Sequence, residues 1–156
     1  MKNEHGFSLV ELLIVVAIIA IIAAIAVPSL LTSKQAANEA GAIQGCRTIG
    51  SAEIAYAAVN NQRYTTLDTL VSGNYLDGRF GGTTGFNGYV YASGTVTNGV
   101  AAGDVPTGFQ FLGNPTSGNG RYIYGIAPDQ VVRYIGVVSG ATAPAGLSAG
   151  DPIGKN

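Results

Sequence analysis

Residues 6–30 read GFSLVELLIVVAIIAIIAAIAVPSL, and Glu11 is the only charged residue between Phe7 and Leu31. The run from Leu12 to Leu31 contains twenty residues without a charge, which matches the roughly 20 residues that cross a bilayer as a helix. An acidic side chain at mid-membrane costs about 2.5–3.5 kcal/mol on insertion scales. The segment therefore predicts a membrane-spanning helix, and the presence of a charged residue, Glu11, in it needs a specific explanation.

Two ordinary interpretations of this segment are a secretory signal peptide and a plain signal anchor. Ala24-Ile25-Ala26 is an A-x-A cleavage pattern after an apolar stretch, and cleavage there would release a secreted binding domain. Against a signal peptide, the apolar stretch exceeds the usual ~7–15 residues, and Glu4 offsets the charge of Lys2. A plain signal anchor leaves Glu11 unexplained.

A third interpretation uses the residues at the start of the apolar run. A short polar leader, residues 1–6, ends in Gly6 and is followed by Phe7 and, four residues later, by Glu11. Together with Pro28, this stretch resembles the type IV pilin family, which includes the pseudopilins of type II secretion. In that family a membrane prepilin peptidase cuts after the glycine and methylates the new N-terminal phenylalanine. The resemblance covers the first third of the chain and implies cleavage between Gly6 and Phe7, with N-methylation of Phe7.

Cleavage at that bond would give Glu11 a partner. The new α-amine of Phe7 is mostly protonated at neutral pH, and Glu11 lies one helical turn away, where i and i+4 side chains face each other. The amine can therefore meet Glu11 of its own subunit or, if subunits stack with a stagger, Glu11 of a neighbour. The resemblance implies the second arrangement, in which the pair sets the register of assembly. The alternative is a carboxylate that merely reaches the membrane interface.

Pro28 lies near the end of the apolar run. Proline lacks an N–H, and its ring clashes with the carbonyl four residues earlier, here that of Ala24. The resemblance implies a helix that bends at Pro28 and partly unwinds in a filament, and it groups Pro28 with Phe7 and Glu11 as assembly residues. The alternative is a simple kink that marks the exit from the membrane.

After the membrane and filament-core segment, residues 7–31, the sequence predicts a globular head. Its parts are helix 32–60, loop 61–80, antiparallel sheet 81–138 and coil tail 139–156, which together make up the head 32–156. An apolar stripe at three- and four-residue steps marks the packed face of the helix; its members are Ala42, Cys46, Ile49, Ala52, Tyr56 and Val59. The polar residues Gln35, Glu39, Arg47 and Glu53 are expected elsewhere on the surface.

Two glycines and one cysteine on this helix have specific interpretations. Gly41 and Gly45 form a small-xxx-small pair, which we interpret as room for the sheet or for a neighbouring helix; otherwise each glycine only weakens the helix, by about 1 kcal/mol against alanine. Cys46 lies on the apolar stripe and is expected to be a small buried hydrophobe. Because it is the only cysteine, no intrachain disulfide is possible.

Local signals divide the rest of the head into short elements. Thr65 or Thr66 is expected to cap a short helix through Val71, closed by Gly73-Asn74. Hairpin turns are predicted at Asn87-Gly88 and Asn98-Gly99, and a turn with proline at its second position at residues 127–130. The strand signal at Phe109–Leu112 is expected to break at the following Asn114-Pro115. The predicted fold class is therefore α+β, pilin-like: a long N-terminal helix packed on a C-terminal antiparallel sheet.

The composition argues against an enzyme. His5 is the only histidine and lies in the leader, and neither CxxC nor HExxH occurs, so we expect no catalytic residues, no cofactor and no metal. The net charge of -1 provides no basic field for nucleic acid. An alternative calcium site, as in major pseudopilins, would need some of the scattered aspartates, Asp68, Asp77, Asp104, Asp129 and Asp151. The Tyr and Phe residues allow an alternative electron-transfer path, but strand cores account for most of them.

The sequence thus predicts a structural subunit of a type IV pilus. It would be cut by prepilin peptidase and would polymerise through its N-terminal helix into a helical homopolymer. A type II secretion pseudopilin is the alternative, and a secreted domain released by signal peptidase after Ala26 is a third. The expected partners are other copies of the chain, prepilin peptidase, the inner-membrane assembly machinery and, before assembly, the membrane. The expected location is the inner membrane for the precursor, then a surface or periplasm-spanning filament.

Overall fold

The computed structural model describes residues 7–83, 85–93, 108–136 and 151–153. The chain divides into two compact units, Met1–Lys34 and Gln35–Asn156. Helix α1, Leu9–Val59, is continuous through Pro28. None of its residues in the first unit is buried.

The described residues of the second unit contain the second part of α1, a short helix, a single turn of 3-10 helix and an antiparallel sheet. Helix α2 spans Leu67–Ser72, and the 3-10 turn spans Gly78–Phe80. The strands are β1 Tyr89–Ser93, β2 Phe111–Pro115, β3 Tyr122–Ile126, β4 Arg133–Gly136 and β5 Asp151–Pro152. Each strand pairs antiparallel with the next, in the order β1-β2-β3-β4-β5. The predicted α+β class, a long N-terminal helix with a C-terminal antiparallel sheet, is confirmed.

The core of the second unit lies between the sheet and one face of α1. Ala42, Cys46 and Ile49 are fully buried on the helix, and Tyr89 and Phe111 are buried on the sheet. Full burial of a large apolar side chain such as Ile49 or Phe111 stabilises a fold by about 1.5–3 kcal/mol. The predicted stripe is correct from Ala42 to Ala52, and its remaining members are less buried. Cys46 is the buried hydrophobe that its position indicated.

Three predictions for the surface of α1 are wrong. Val59 was expected in the core but is 69% exposed. It lies roughly 80° around the helix from Ile49 at 3.6 residues per turn, in the last turn. Glu39 and Glu53 were expected on the surface but are only 6% and 0% exposed. Glu53 lies only about 40° from Ile49 on the same helix. Glu39 is buried beside a cationic partner, Arg121, whose own side chain stays exposed.

Gly45 is needed because the sheet approaches α1 closely. A Cβ built on Gly45 would lie 2.1 Å from the hydroxyl oxygen of Tyr91 in β1. At Gly41, one turn earlier, the nearest atom is Nδ2 of Asn87 at 3.0 Å. The prediction of room for the sheet is therefore confirmed most clearly at Gly45.

Several local predictions are confirmed by backbone geometry. Asn87 and Gly88 both have positive φ, 52° and 75°, as a type I′ turn requires. Phe86 and Tyr89 close this turn through two backbone hydrogen bonds of 2.7 and 3.0 Å. At the turn predicted for residues 127–130, the Gln130 amide donates to the Ala127 carbonyl at 2.9 Å. Asn98-Gly99 lies outside the described residues.

The ends of the short elements agree with the sequence in one place and differ in two. Thr66 caps α2 and Gly73 closes it, as predicted. Strand β2 continues to Pro115, although a break was expected at Asn114-Pro115; Pro115 is the terminal residue and is paired only with β1, where its missing N–H is tolerated. Residues 151–152, predicted as coil, form β5 because they pair with the outer edge of β4.

Candidate processing and assembly segment

The first turn of α1 is closed by a capping box formed by Ser8 and Glu11. The Ser8 hydroxyl oxygen accepts a hydrogen bond from the Val10 amide at 3.3 Å, and Glu11 Oε2 accepts one from the Ser8 amide at 2.9 Å. Such a box satisfies helix N–H groups that have no partner within the helix. Glu11 therefore stabilises the start of its own helix, in addition to any task in assembly.

Ser8 is the functional residue that the sequence interpretation missed. Its signal was present, since Ser8-x-x-Glu11 directly precedes the apolar run and matches the capping-box pattern. Both hydrogen bonds of the box use atoms after the Gly6–Phe7 bond. Cleavage at that bond would leave the capped helix start intact.

Among the described residues, the Ser8 amide is the only donor to Glu11. A carboxylate has about four acceptor positions, so Glu11 can accept further hydrogen bonds while it caps the helix. Phe7 is 79% exposed beside this cap, and Gly6 lies outside the described residues. Pro28 lies seventeen residues after Glu11 on the same helix, roughly 25 Å along its axis at 1.5 Å per residue. The structure thus places Phe7 and Glu11 at one end of the segment, and Pro28 apart from them.

Between these ends, the first half of α1 presents an apolar surface on every side. Its large apolar side chains are 46–73% exposed. By length and composition, α1 is the one helix in the described part of the chain that could cross a membrane. A helix that is apolar all round is normally buried in a membrane or a larger core. This surface therefore requires lipid or neighbouring helices around it.

Hydroxyl groups follow Pro28 along the helix. Thr32 Oγ1 donates to the Ser29 carbonyl at 2.9 Å, and Ser33 Oγ donates to the same carbonyl at 2.9 Å. Back-bonding of this kind often bends helices slightly. The single subunit nevertheless keeps α1 continuous here, and partial unwinding in a filament stays a prediction.

The aspartates and the cysteine, the candidate groups for chemistry, lie in the second unit. In residues 7–83, 85–93, 108–136 and 151–153, no three His, Cys, Asp or Glu side chains form a metal-binding group. Asp77 and Asp129, two candidates for calcium, pair with Arg79 and Arg133 at 2.9 and 2.6 Å. Burial raises the pKa of the Cys46 thiol to about 12, so it is a protonated core residue, not a nucleophile.

The fold and this segment together define a class of protein. An α+β chain whose long N-terminal helix exposes an apolar half, and whose second half packs on an antiparallel sheet, has the pilin-like architecture. Residues 1–27 match the family model described as the prokaryotic N-terminal methylation motif. The chain is also similar to the type IV wide pilus major component PilA4 of Thermus thermophilus, with 56% identity over 39 residues.

These matches confirm the resemblance seen in the sequence: residues 1–27 carry the prokaryotic N-terminal methylation motif, and the chain is similar to a type IV pilus component. The match to the Thermus protein covers 25% of this chain and 30% of that relative. The chain thus spans about 30% of the length of this relative, and the family model matches residues 1–27.

Proposed function

We propose that this chain is a structural subunit of a type IV pilus, that it has no enzymatic activity, and that it polymerises through residues 7–31. The observation that carries the proposal is the exposed apolar half of α1, which has one carboxylate at its capped start. Such a surface has no stable place in water. A membrane before assembly, and a bundle of identical helices afterwards, would each cover it.

Processing is the first step of the proposed function. Prepilin peptidase would cut between Gly6 and Phe7 and methylate Phe7, and the inner-membrane assembly machinery would then add the subunit to a filament. The family model over residues 1–27 supports this step. Within this proposal, residues 1–6 are a leader, 7–31 the membrane and filament-core segment, and 32–156 the head.

Polymerisation is the second step, and Glu11 is its proposed register residue. Each Phe7 amine would enter the apolar filament core, where an unpaired charge is very costly. Glu11 of a neighbouring subunit would supply the opposite charge. The acceptor positions that remain on Glu11, while it caps its own helix, allow both contacts at once.

The N-terminus of the mature protein tests this proposal. Mass spectrometry of membranes and shed filaments should find a chain that starts at a methylated Phe7. A chain that starts at Val27 would instead mean a domain secreted by signal peptidase. In the variant Gly6→Val an uncleaved, membrane-held precursor should accumulate, because the peptidase needs close access to the backbone beside a residue without a side chain.

Filament type needs a separate measurement. The name of the Thermus relative supports a pilus over a type II secretion pseudopilin. Electron microscopy of the producing cells should show surface filaments that contain this chain. Filaments confined to the periplasm, with normal processing at Phe7, would favour the pseudopilin.

A further inference from the structure

Glu53 is a buried carboxyl group in the middle of the packed face of α1. It is 0% exposed and is among the largest fully buried side chains of the described residues. Its spacing from Ala42, Cys46 and Ile49 continues the core face of the helix. A carboxylate at such a position is costly unless it is paired and hydrogen-bonded.

The described residues provide Glu53 with a single hydrogen-bond donor. The Thr65 amide donates to Oε2 at 3.1 Å and to Oε1 at 3.4 Å. The other buried carboxyl group, Glu39, is held by Arg121, whereas none of the ion pairs in the described residues includes Glu53. Within the described residues, Glu53 therefore has no cation that would stabilise its ionised form.

Burial raises the pKa of Glu53 to about 7, and the hydrogen bond from Thr65 opposes this rise only in part. Among the described residues, no charged neighbour contributes to the shift. Besides Glu53, the ionisable side chains of α1 from residue 46 onward, of the following loop, of α2 and of β1 are Cys46, Arg47, Tyr56, Arg63, Tyr64, Asp68, Tyr89 and Tyr91.

Thr65, whose amide donates to Glu53, lies near the end of a strained loop, residues 60–66. Asn61 and Gln62 have φ of 55° and 60°, a left-handed conformation that is uncommon outside glycine. The loop and α1 line a surface cavity of about 470 Å³, with Ile54, Ala57 and Ala58 on the helix and Gln62 and Tyr64 on the loop. Water thus has access to the region where the loop meets the helix.

We propose that Glu53 is a pH-sensitive latch that holds the Thr65 end of loop 60–66 against α1. The neutral carboxyl group stays buried and accepts the Thr65 hydrogen bond. The ionised carboxylate gains more from hydration than from one amide, so it favours a state in which Thr65 releases and water enters. The Tyr64 ring remains packed on Phe109, with centroids 4.9 Å apart, and confines the opening to the Thr65 end.

The direction of the effect follows from proton linkage. A carboxyl group with a raised pKa holds its proton in the closed state and loses it more easily in the open state. The closed state is therefore favoured at acid pH and weakens as pH rises from about 4.5 to about 7. With those two values, opening at pH 8 should exceed opening at pH 5.5 about 30-fold.

Hydrogen exchange of the full chain in detergent micelles, resolved to single amides, tests the latch. After correction for intrinsic exchange, protection of the Thr65 amide should fall about 30-fold between pH 5.5 and pH 8. The Leu76 amide, bonded to the Leu70 carbonyl at 3.2 Å, is the internal reference and should not change. Glu53→Gln keeps the shape and cannot ionise, so its Thr65 protection should be independent of pH.

Either of two exchange results would overturn the latch: a pH-independent Thr65 amide in the wild-type chain, or the same pH-dependent loss in Glu53→Gln. If the Glu53→Gln variant does not fold, a direct titration of Glu53 in the wild-type chain still tests the proposal. Carbon NMR of the wild-type Glu53 carboxyl group should give a midpoint near 7, and a midpoint near the ordinary 4.5 would also reject the proposal.

Discussion

Arg121 donates three hydrogen bonds to Glu39, which lies 82 positions earlier in the chain. Its backbone amide and Nε both donate to Oε1, at 2.9 and 3.0 Å, and its Nη2 donates to Oε2 at 2.9 Å. The hydrogen bonds from the Arg121 side chain hold the pKa of Glu39 below its ordinary value. This contact attaches α1 to the start of β3 at the beginning of the second unit.

We expect Arg121→Met to lower the free energy of unfolding of the second unit by about 2 kcal/mol, because Glu39 would lose charge-assisted hydrogen bonds while it stays buried. Denaturant unfolding measures the change. The matched control is Arg79→Met, whose partner Asp77 is exposed; its effect should be clearly smaller, because water screens an exposed ion pair. Equal effects of the two variants would contradict a special role for Glu39.

The pair of Glu39 and Arg121 should also make the stability of the fold depend on pH. Because the folded pKa of Glu39 is lowered, its stabilising contribution is complete above its unfolded pKa and is lost as pH falls through the folded value. The stability of wild-type protein and of Glu39→Gln should therefore differ most at neutral pH and converge in acid. A difference that is constant from pH 7 to pH 3 would show that ionisation of Glu39 is irrelevant.

Gly45→Ala should destabilise the second unit by about 1–3 kcal/mol, because the new methyl group collides with the Tyr91 hydroxyl and the core must shift. Gly41→Ala on the same helix faces the flexible Asn87 side chain at 3.0 Å and should be neutral within about 1 kcal/mol. Thermal unfolding of both variants checks the contrast. Equal melting temperatures of the two variants would contradict the claim that close packing against Tyr91 requires glycine at position 45.

A chain that starts at Thr32 should be a folded, water-soluble monomer, since the second unit begins at Gln35. Circular dichroism and sedimentation test this expectation. A chain that starts at Ala42 lacks both Asn38 and Glu39. Asn38 donates to the Asn119 carbonyl at 3.0 Å, and Glu39 binds Arg121. The shorter chain should be less stable by about 3 kcal/mol. A random coil or long polymers from the longer chain would contradict the division at Lys34.

Substitutions at the helix cap separate the two tasks of Glu11. Glu11→Gln keeps an acceptor for the Ser8 amide, because glutamine also forms capping boxes, but it removes the charge. Ser8→Ala removes the hydroxyl of the cap, at about 1 kcal/mol, but keeps the charge. If charge pairs the subunits, Glu11→Gln should be cleaved at Gly6 and make no filaments, whereas Ser8→Ala should make them.

Glu11→Ala loses the charge and the Glu11 hydrogen bond of the cap, and it should also be cleaved without assembling. Filament counts by electron microscopy, compared with the amount of mature subunit in membranes, give the readout. Filaments at wild-type number from Glu11→Gln would refute the charge-pair account. Loss of filaments in Ser8→Ala alone would assign the assembly defect to the cap instead.

Local chemistry made part of this molecule predictable from sequence. An uncharged run of twenty residues identifies the first half of α1, because spanning a bilayer depends on length and composition. Asn87-Gly88 specifies its turn because two adjacent residues must accept positive φ. The Ser8 cap was equally local, and its pattern was present in the sequence although it was not used.

Only the tertiary structure decided which polar groups of α1 are buried. Glu39 and Glu53 have the same side chain, yet one has Arg121 as its partner and the other has the Thr65 amide. Helical spacing describes which residues share a face, but it does not say what a distant segment brings to that face. Pairing of β5 with β4 depends in the same way on which strand edge the fold leaves open. Sequence therefore determined the apolar half of α1 and the Asn87-Gly88 turn, whereas long-range contacts determined where charge could be buried.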